Sequence, residues 1–167
     1  TVRIRDADGD EGLGYTYCGD RGAADAIKSL ISQGLNPLIN GEDANRIEHL
    51  WQKMWWGLHY TGRGGSLSFA ISAVDIALWD LKAKKLGVPL WHLLGGHDSK
   101  VRAYAGGIDL LFPLEQLLEQ TRRHLDNGFQ AIKMKVGRPN ISEDVSRVAA
   151  MRKELGDDFP LMVDANM

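Results

Sequence analysis

The stretch Ala131-Ile-Lys-Met-Lys-Val136 decides how the rest of the chain is read. Only the two lysines interrupt an apolar run that lies between a helical pattern and Gly137, so it reads as a buried strand. Side chains alternate along a strand. Lys133 and Lys135 therefore share one face, and Ile132, Met134 and Val136 take the other. Two ammonium groups on one face of a buried strand are costly unless something needs them there. A neighbouring like charge and desolvation both weaken a lysine's hold on its proton, so one of the pair is expected to be partly neutral near neutral pH and able to act as a base. On the tripeptide alone, a solvated strand face or a charge-guarded edge is the commoner meaning.

The flanking pattern gives the lysines a context. Upstream, residues 101–105 read as a strand and residues 113–127 as a helix stopped by Gly128. The lysine strand spans residues 130–136. Downstream, residues 142–155 read as a helix stopped by Gly156, and residues 160–166 as a further strand. This β-α-β-α-β order with short loops predicts a parallel sheet covered by helices. Strands recur about every thirty residues, as in a (β/α) barrel or a doubly wound sheet. In the last strand, alternation puts Met162, Asp164 and Asn166 on one face. A carboxylate at the C-terminal end of a parallel strand sits at the rim where active sites form, and its hard oxygens suit Mg²⁺. Asp164 could equally cap a turn. With Lys133 and Lys135 one unit earlier at the same rim, the chemical reading is the better one.

The N-terminal half has a different grammar. Val2-Arg-Ile-Arg5, the Asp8-Gly9-Asp10 turn and Gly12-Leu-Gly-Tyr-Thr-Tyr17 predict a β-hairpin. Helices are expected over residues 23–33, ending at Gly34, over 43–56, and over 68–86, ending at Gly87. Five tryptophans (51, 55, 56, 79 and 91) all fall in this half and are expected to fill an apolar interface. The five histidines (49, 59, 92, 97 and 124) lie on helical or loop segments and read as surface or packing residues.

Composition narrows the partners. Of 167 residues, 44% are hydrophobic and 25% charged, and 20 Lys+Arg against 22 Asp+Glu give a net charge of −2, which points away from nucleic acid. No apolar run is long enough to span a bilayer, so no membrane partner is expected. Cys18 is the single cysteine, which excludes an internal disulfide and fits a cytoplasmic location. A (β/α)8 barrel needs about 250 residues, and only three barrel strands are legible, so the sequence is expected to be a piece of a larger protein that is inactive in isolation.

Three stretches carry a resemblance. Ala70-Ile-Ser-Ala-Val-Asp-Ile-Ala-Leu-Trp-Asp-Leu-Lys82, with Leu86-Gly-Val-Pro-Leu90 and Leu93-Leu-Gly-Gly96, resembles the cap-to-barrel segment of the mandelate racemase and muconate-lactonising branch of the enolase superfamily. Phe129-Gln-Ala-Ile-Lys-Met-Lys-Val-Gly137 is similar to that branch's second barrel strand, and Gly156-Asp-Asp-Phe-Pro-Leu-Met-Val-Asp-Ala-Asn166 to its third. The resemblance implies an α/β chain: an α+β capping domain over residues 1–97, then the first three strands of a TIM-type (β/α) barrel over residues 98–167, the barrel being incomplete in this chain. It implies Mg²⁺-dependent removal of a proton α to a carboxylate, with an enediolate intermediate. By the same resemblance Lys135 matches the base, and Lys133 lowers its pKa and meets the substrate carboxylate. Asp164 matches the first metal ligand, and Asn166 a substrate contact. The cap's second specificity loop corresponds to Tyr15-Thr-Tyr-Cys-Gly-Asp-Arg21, with Tyr17 as a candidate substrate contact.

The family's other two metal carboxylates and the opposing acid/base are expected beyond Met167. The Val-Asp-Ala-Asn-Met167 ending and the Trp55-Trp-Gly-Leu-His-Tyr-Thr-Gly-Arg63 loop look most like dehydratases of sugar acids such as galactarate or talarate. Dehydration is the first expectation. Racemisation, epimerisation or cycloisomerisation is the second, and a non-catalytic binding or structural role the third. The partners implied are a small-molecule carboxylate and further copies of the chain in a homo-oligomer.

Overall fold

In the computed structural model, which describes residues 1–166, the longest helix is α4 (Ser66–Lys85). It is apolar on nearly every side and has nine buried residues, which makes it the centre of the first unit, Thr1–Ser99. Strands β1 (Val2–Arg5) and β2 (Glu11–Gly14) form an antiparallel hairpin in the register Val2↔Gly14 and Arg5↔Glu11. Gly12 and Gly14 let β2 lie directly on α4. A Cβ on Gly12 would stand 2.0 Å from the Ala77 carbonyl oxygen, and one on Gly14 2.0 Å from that of Ala73. The Asp80 carboxylate accepts the Leu13 N–H at 2.7 Å and fastens the strand to the helix.

Helix α1 (Arg21–Ser29) starts at Asp20, whose carboxylate accepts the Ala23 N–H at 2.9 Å. The expected stop at Gly34 does not occur. The chain stays helical through a π-type stretch, Leu30–Leu35, into α2 (Asn36–Ile39). Gly34 is a packing glycine instead, since a Cβ there would meet Leu58 Cδ1 at 2.9 Å. Helix α3 (Ile47–Gly57) adds Ile47, Leu50 and Met54 to the core around Ile27, Leu35, Leu67, Ile71, Val74 and Leu78. Trp51 and Trp55 stack at 5.3 Å and pack with Trp79 against this core. Trp56 and Trp91 do not fill an interface within the unit and are exposed. A single 3₁₀ turn (His59–Thr61) follows α3, and α5 (Leu90–Leu93) closes the unit.

The second unit begins at Lys100. Its sheet is parallel in the order β3 (Ala105–Gly106), β4 (Ile132–Lys135), β5 (Leu161–Asp164). The strand expected over residues 101–105 shrinks to Ala105–Gly106. Only these two pair with β4, and Val101 is exposed. Helices α6 (Leu114–Asp126) and α7 (Ile141–Leu155) pack together, and Leu117 and Met151 bury Ala105, Ile132 and Met134. Asn140 caps α7 by accepting the Ser142 N–H at 3.0 Å. The helices thus cover the Ile132/Met134 face of β4 and leave the Lys133/Lys135 face free.

Candidate active site

Register brings the charged residues together. Lys135 lies opposite Asp164 across β4 and β5, at the C-terminal ends of both strands. Asp164 Oδ2 accepts from Lys135 Nζ at 2.8 Å and lies 3.1 Å from Lys133 Nζ. The Asn166 N–H donates to Asp164 Oδ1 at 2.9 Å, and Asn166 Oδ1 accepts from Lys135 Nζ. Asn166 has a positive φ, 55°, a conformation that Asn tolerates better than most other side chains. Lys133 Nζ also sits 5.2 Å from the Tyr104 ring centre. Four of the five sequence-predicted residues therefore form one cluster: Lys133, Lys135, Asp164 and Asn166. The fifth, Tyr17, belongs to the first unit, between β2 and α1, and is exposed. Met167 lies outside the described residues.

The electrostatics differ from the sequence expectation. Hydrogen bonds from Lys135, from the Asn166 N–H and from Lys133 hold the Asp164 carboxyl well below the usual carboxylate range, against a smaller opposing desolvation. Lys133 is not pushed down by its neighbour. Its bond to Asp164, with a further contribution from Tyr104, raises it above its ordinary value. The reason is the intervening anion: Asp164 stands between the two ammonium groups and compensates their repulsion. Two cations around one carboxylate still leave the cluster a net positive charge, suited to an anionic ligand.

A supporting layer escaped the sequence reading. Asp109, 1% exposed, accepts the Lys135 N–H on Oδ1 at 2.8 Å and the Gln120 amide on Oδ2 at 3.1 Å. Arg147, buried on α7, donates to the Asp109 carbonyl at 2.8 Å and the Phe112 carbonyl at 2.6 Å. Arg138 donates to the carbonyls of Leu110 and Phe112, both at 3.0 Å. Asp144 accepts the N–H groups of Gly137 and Arg138 at 2.8 and 2.9 Å. These groups knit the loops after β3 and β4 together behind the lysine face. Leaving one such buried donor unpaired costs about 1–3 kcal/mol. A charge inside the apolar run Ile108-Asp-Leu-Leu-Phe112 was the available signal for Asp109. For Arg147 the sequence offered none, since its partners lie 35 and 38 positions away.

Two comparisons decide the family. Residues 1–95 match the mandelate racemase / muconate lactonizing enzyme N-terminal domain, and residues 116–167 the enolase C-terminal domain-like family. The chain belongs to the mandelate racemase/muconate-lactonizing enzyme family. Within that family it is 58% identical, over all of its length, to a 3,6-anhydro-alpha-L-galactonate cycloisomerase of Streptomyces coelicolor, and covers 46% of that protein. It matches the structure of a racemase from Streptomyces coelicolor with bound magnesium at a TM-score of 0.91 and 57% identity, covering 99% of this chain and 49% of that one. It also matches an L-talarate/galactarate dehydratase of Salmonella typhimurium, liganded with Mg and L-lyxarohydroxamate, at a TM-score of 0.88 and 42% identity. There it covers 99% of this chain and 42% of the other. The chain thus spans about half the length of the relatives it matches. In mandelate racemase/muconate-lactonizing terms it comprises the α+β capping domain and the first three strands of the barrel.

Proposed function

We propose that the full-length protein removes the proton α to the carboxylate of a sugar acid and then expels an oxygen substituent from the β carbon. The observation that carries this reading is the convergence of Lys133 and Lys135 on Asp164, within 3.1 Å, at the C-terminal ends of adjacent parallel strands. In this reading Lys135 is the base. Its Nζ lies 2.8 Å from Asp164 Oδ2, at the rim where a substrate α carbon would be presented. Lys133 meets the substrate carboxylate as a cation, and Asn166 contacts the substrate's polar groups.

The donor chemistry of the cluster fits Mg²⁺. Mg²⁺ is held by one or two hard carboxylates with the remaining positions filled by water or substrate oxygens, and Asp164 is such a carboxylate, reached from the solvent side. Asp164 would hold it, and Mg²⁺ supplies Lewis-acid stabilisation of the negative charge that builds on the substrate carboxylate. Every proton movement falls to the chain's own lysine and to an opposing acid outside this sequence.

The leaving oxygen divides two reactions. In a hydroxy sugar acid it is a hydroxyl, and the reaction is a dehydration, supported by the L-talarate/galactarate dehydratase likeness. In a 3,6-anhydro sugar acid the β carbon carries the ring ether, and the same elimination opens the ring. The 58% identity to a 3,6-anhydro-alpha-L-galactonate cycloisomerase favours this second reading. Both begin with the same α-proton, and both are set in the cytoplasm. The test incubates the full-length protein and Mg²⁺ with galactarate, L-talarate and 3,6-anhydro-L-galactonate in deuterated water. Loss of the α-proton signal by NMR with at least one, abolished by EDTA and restored by Mg²⁺, is expected. No exchange and no turnover with any of them would overturn the reading in favour of a non-catalytic member.

A further inference from the structure

We propose that Asp109 is a positioning residue for Lys135, a claim that rests on the reading of Lys135 as the base. The β3–β4 ladder ends early: Ala105 pairs with Ile132 and Gly106 with Lys133, and β3 goes no further. Strand β4 continues to Lys135. In a parallel sheet alternate N–H groups point to the same neighbour. The N–H groups of Ile132 and Val136 go to the β5 side, to the carbonyls of Pro160 and Asp164. That of Lys135 therefore faces the β3 side, where the ladder has run out. Asp109 Oδ1 takes it at 2.8 Å, a side chain standing in for the absent strand carbonyl.

The stand-in is itself held from both covering helices. Gln120 on α6 donates to Asp109 Oδ2 at 3.1 Å. Gly107 leaves room for that amide, because a Cβ there would sit 2.5 Å from Gln120 Nε2. Arg147 on α7 fixes the Asp109 backbone through its carbonyl at 2.8 Å. Asp109 is 1% exposed and touches the main chain of Lys135, not its ammonium, so it acts on where the lysine points. Lys135 Nζ is shared between Asp164 Oδ2 and Asn166 Oδ1, and a small turn of its backbone would break that geometry.

The test uses the full-length protein with Mg²⁺ and whichever sugar acid the wild type turns over. Asp109→Ala is expected to lower kcat about ten- to a hundredfold with KM changed less than about twofold, the scale of a misdirected catalytic group. Residue-resolved amide hydrogen exchange, read without substrate, should show Lys135 exchanging at least about tenfold faster while Ile132 and Val136 keep their protection. Asp109→Asn should restore both, since its amide oxygen accepts the Lys135 N–H and its amide nitrogen donates to a flipped Gln120. Three results would overturn the proposal: a folded Asp109→Ala with wild-type kcat, an Asp109→Asn as impaired as Asp109→Ala, or faster exchange spread over all of β4. If Asp109→Ala does not fold, a wild-type Lys135 amide that exchanges as fast as an open loop is the overturning result. Absence of sugar-acid turnover in the wild type overturns the proposed reaction and leaves amide exchange to decide on Asp109.

Discussion

Each of the two units carries a lysine–aspartate cluster, and the two are built in opposite proportions. In the first, a single Lys85 at the end of α4 reaches Asp6, Asp8 at 2.8 Å and Asp10 at 3.9 Å on the hairpin turn. In the second, a single Asp164 serves Lys133 and Lys135. The aspartate-rich cluster looks like a cation site by spacing, since its three carboxylates converge. Its geometry is explained within the fold. Asp6 Oδ1 already accepts the N–H groups of Asp8 and Asp10, which shapes the turn, and Lys85 occupies the space between the carboxylates. The lysine-rich cluster is not explained that way. No turn or cap requires two ammonium groups side by side, and the helices bury the other face of their strand. An ion pair that finishes a turn is structural, whereas a surplus of cations at parallel strand ends asks for a ligand.

Neutralising the lone carboxylate is the harshest way to break this comparison. Asp164→Asn in the full-length protein should lower turnover by about three orders of magnitude, the scale of losing several kcal/mol of charge stabilisation. Its melting temperature should fall by no more than a few degrees, because the Lys133–Lys135 repulsion that Asp164 compensates is partly screened where its side chain is 30% exposed. A large fall in melting temperature with turnover intact would make Asp164 a structural residue like Asp6.

The converse change is smaller. Lys85→Met should lower the melting temperature by a few degrees and leave turnover unchanged. Its pH dependence sharpens the contrast. In the wild type, Lys85 holds Asp6 below its ordinary value, and Asp6 and Asp8 hold Lys85 above its own. The Asp6 contribution is complete above about pH 4, its unfolded range, and fades as pH falls through the lower folded value. The Lys85 contribution is complete below about pH 10 and fades as pH rises through the higher folded value. Between them stability is flat with respect to this cluster. In Lys85→Met the part of the Asp6 contribution that comes through Lys85 is gone, so the loss of stability as pH falls below about 4 should be shallower than in the wild type. Thermal melts across pH would check this, and matching slopes in the two proteins would contradict it.

Much of this was legible locally. Alternation around Met134 predicted which face of β4 is buried, and the β-α-β-α-β order predicted the parallel sheet that sets Lys135 beside Asp164. Local pattern failed where meaning depends on distant partners. Asp109 meets Lys135 across 26 positions, and Arg147 meets the Asp109 carbonyl across 38, so no short motif records either. Gly34 carries the usual signal of a helix stop, yet its role is set by Leu58 packing on it from elsewhere in the unit. The charge balance of the lysines is a related case: they were read as a pair, and in the fold they are a trio with Asp164, whose carboxylate raises Lys133 above its ordinary value.

The central claim is that Lys135 is the group that takes the α-proton. The most direct measurement is α-proton exchange by Lys135→Ala full-length protein in deuterated water, with Mg²⁺ and a sugar acid that the wild type turns over, the fold being checked by circular dichroism. Loss of at least about a thousandfold in exchange rate is predicted, within the range that a positioned base contributes. Exchange by folded Lys135→Ala at the wild-type rate would contradict the account.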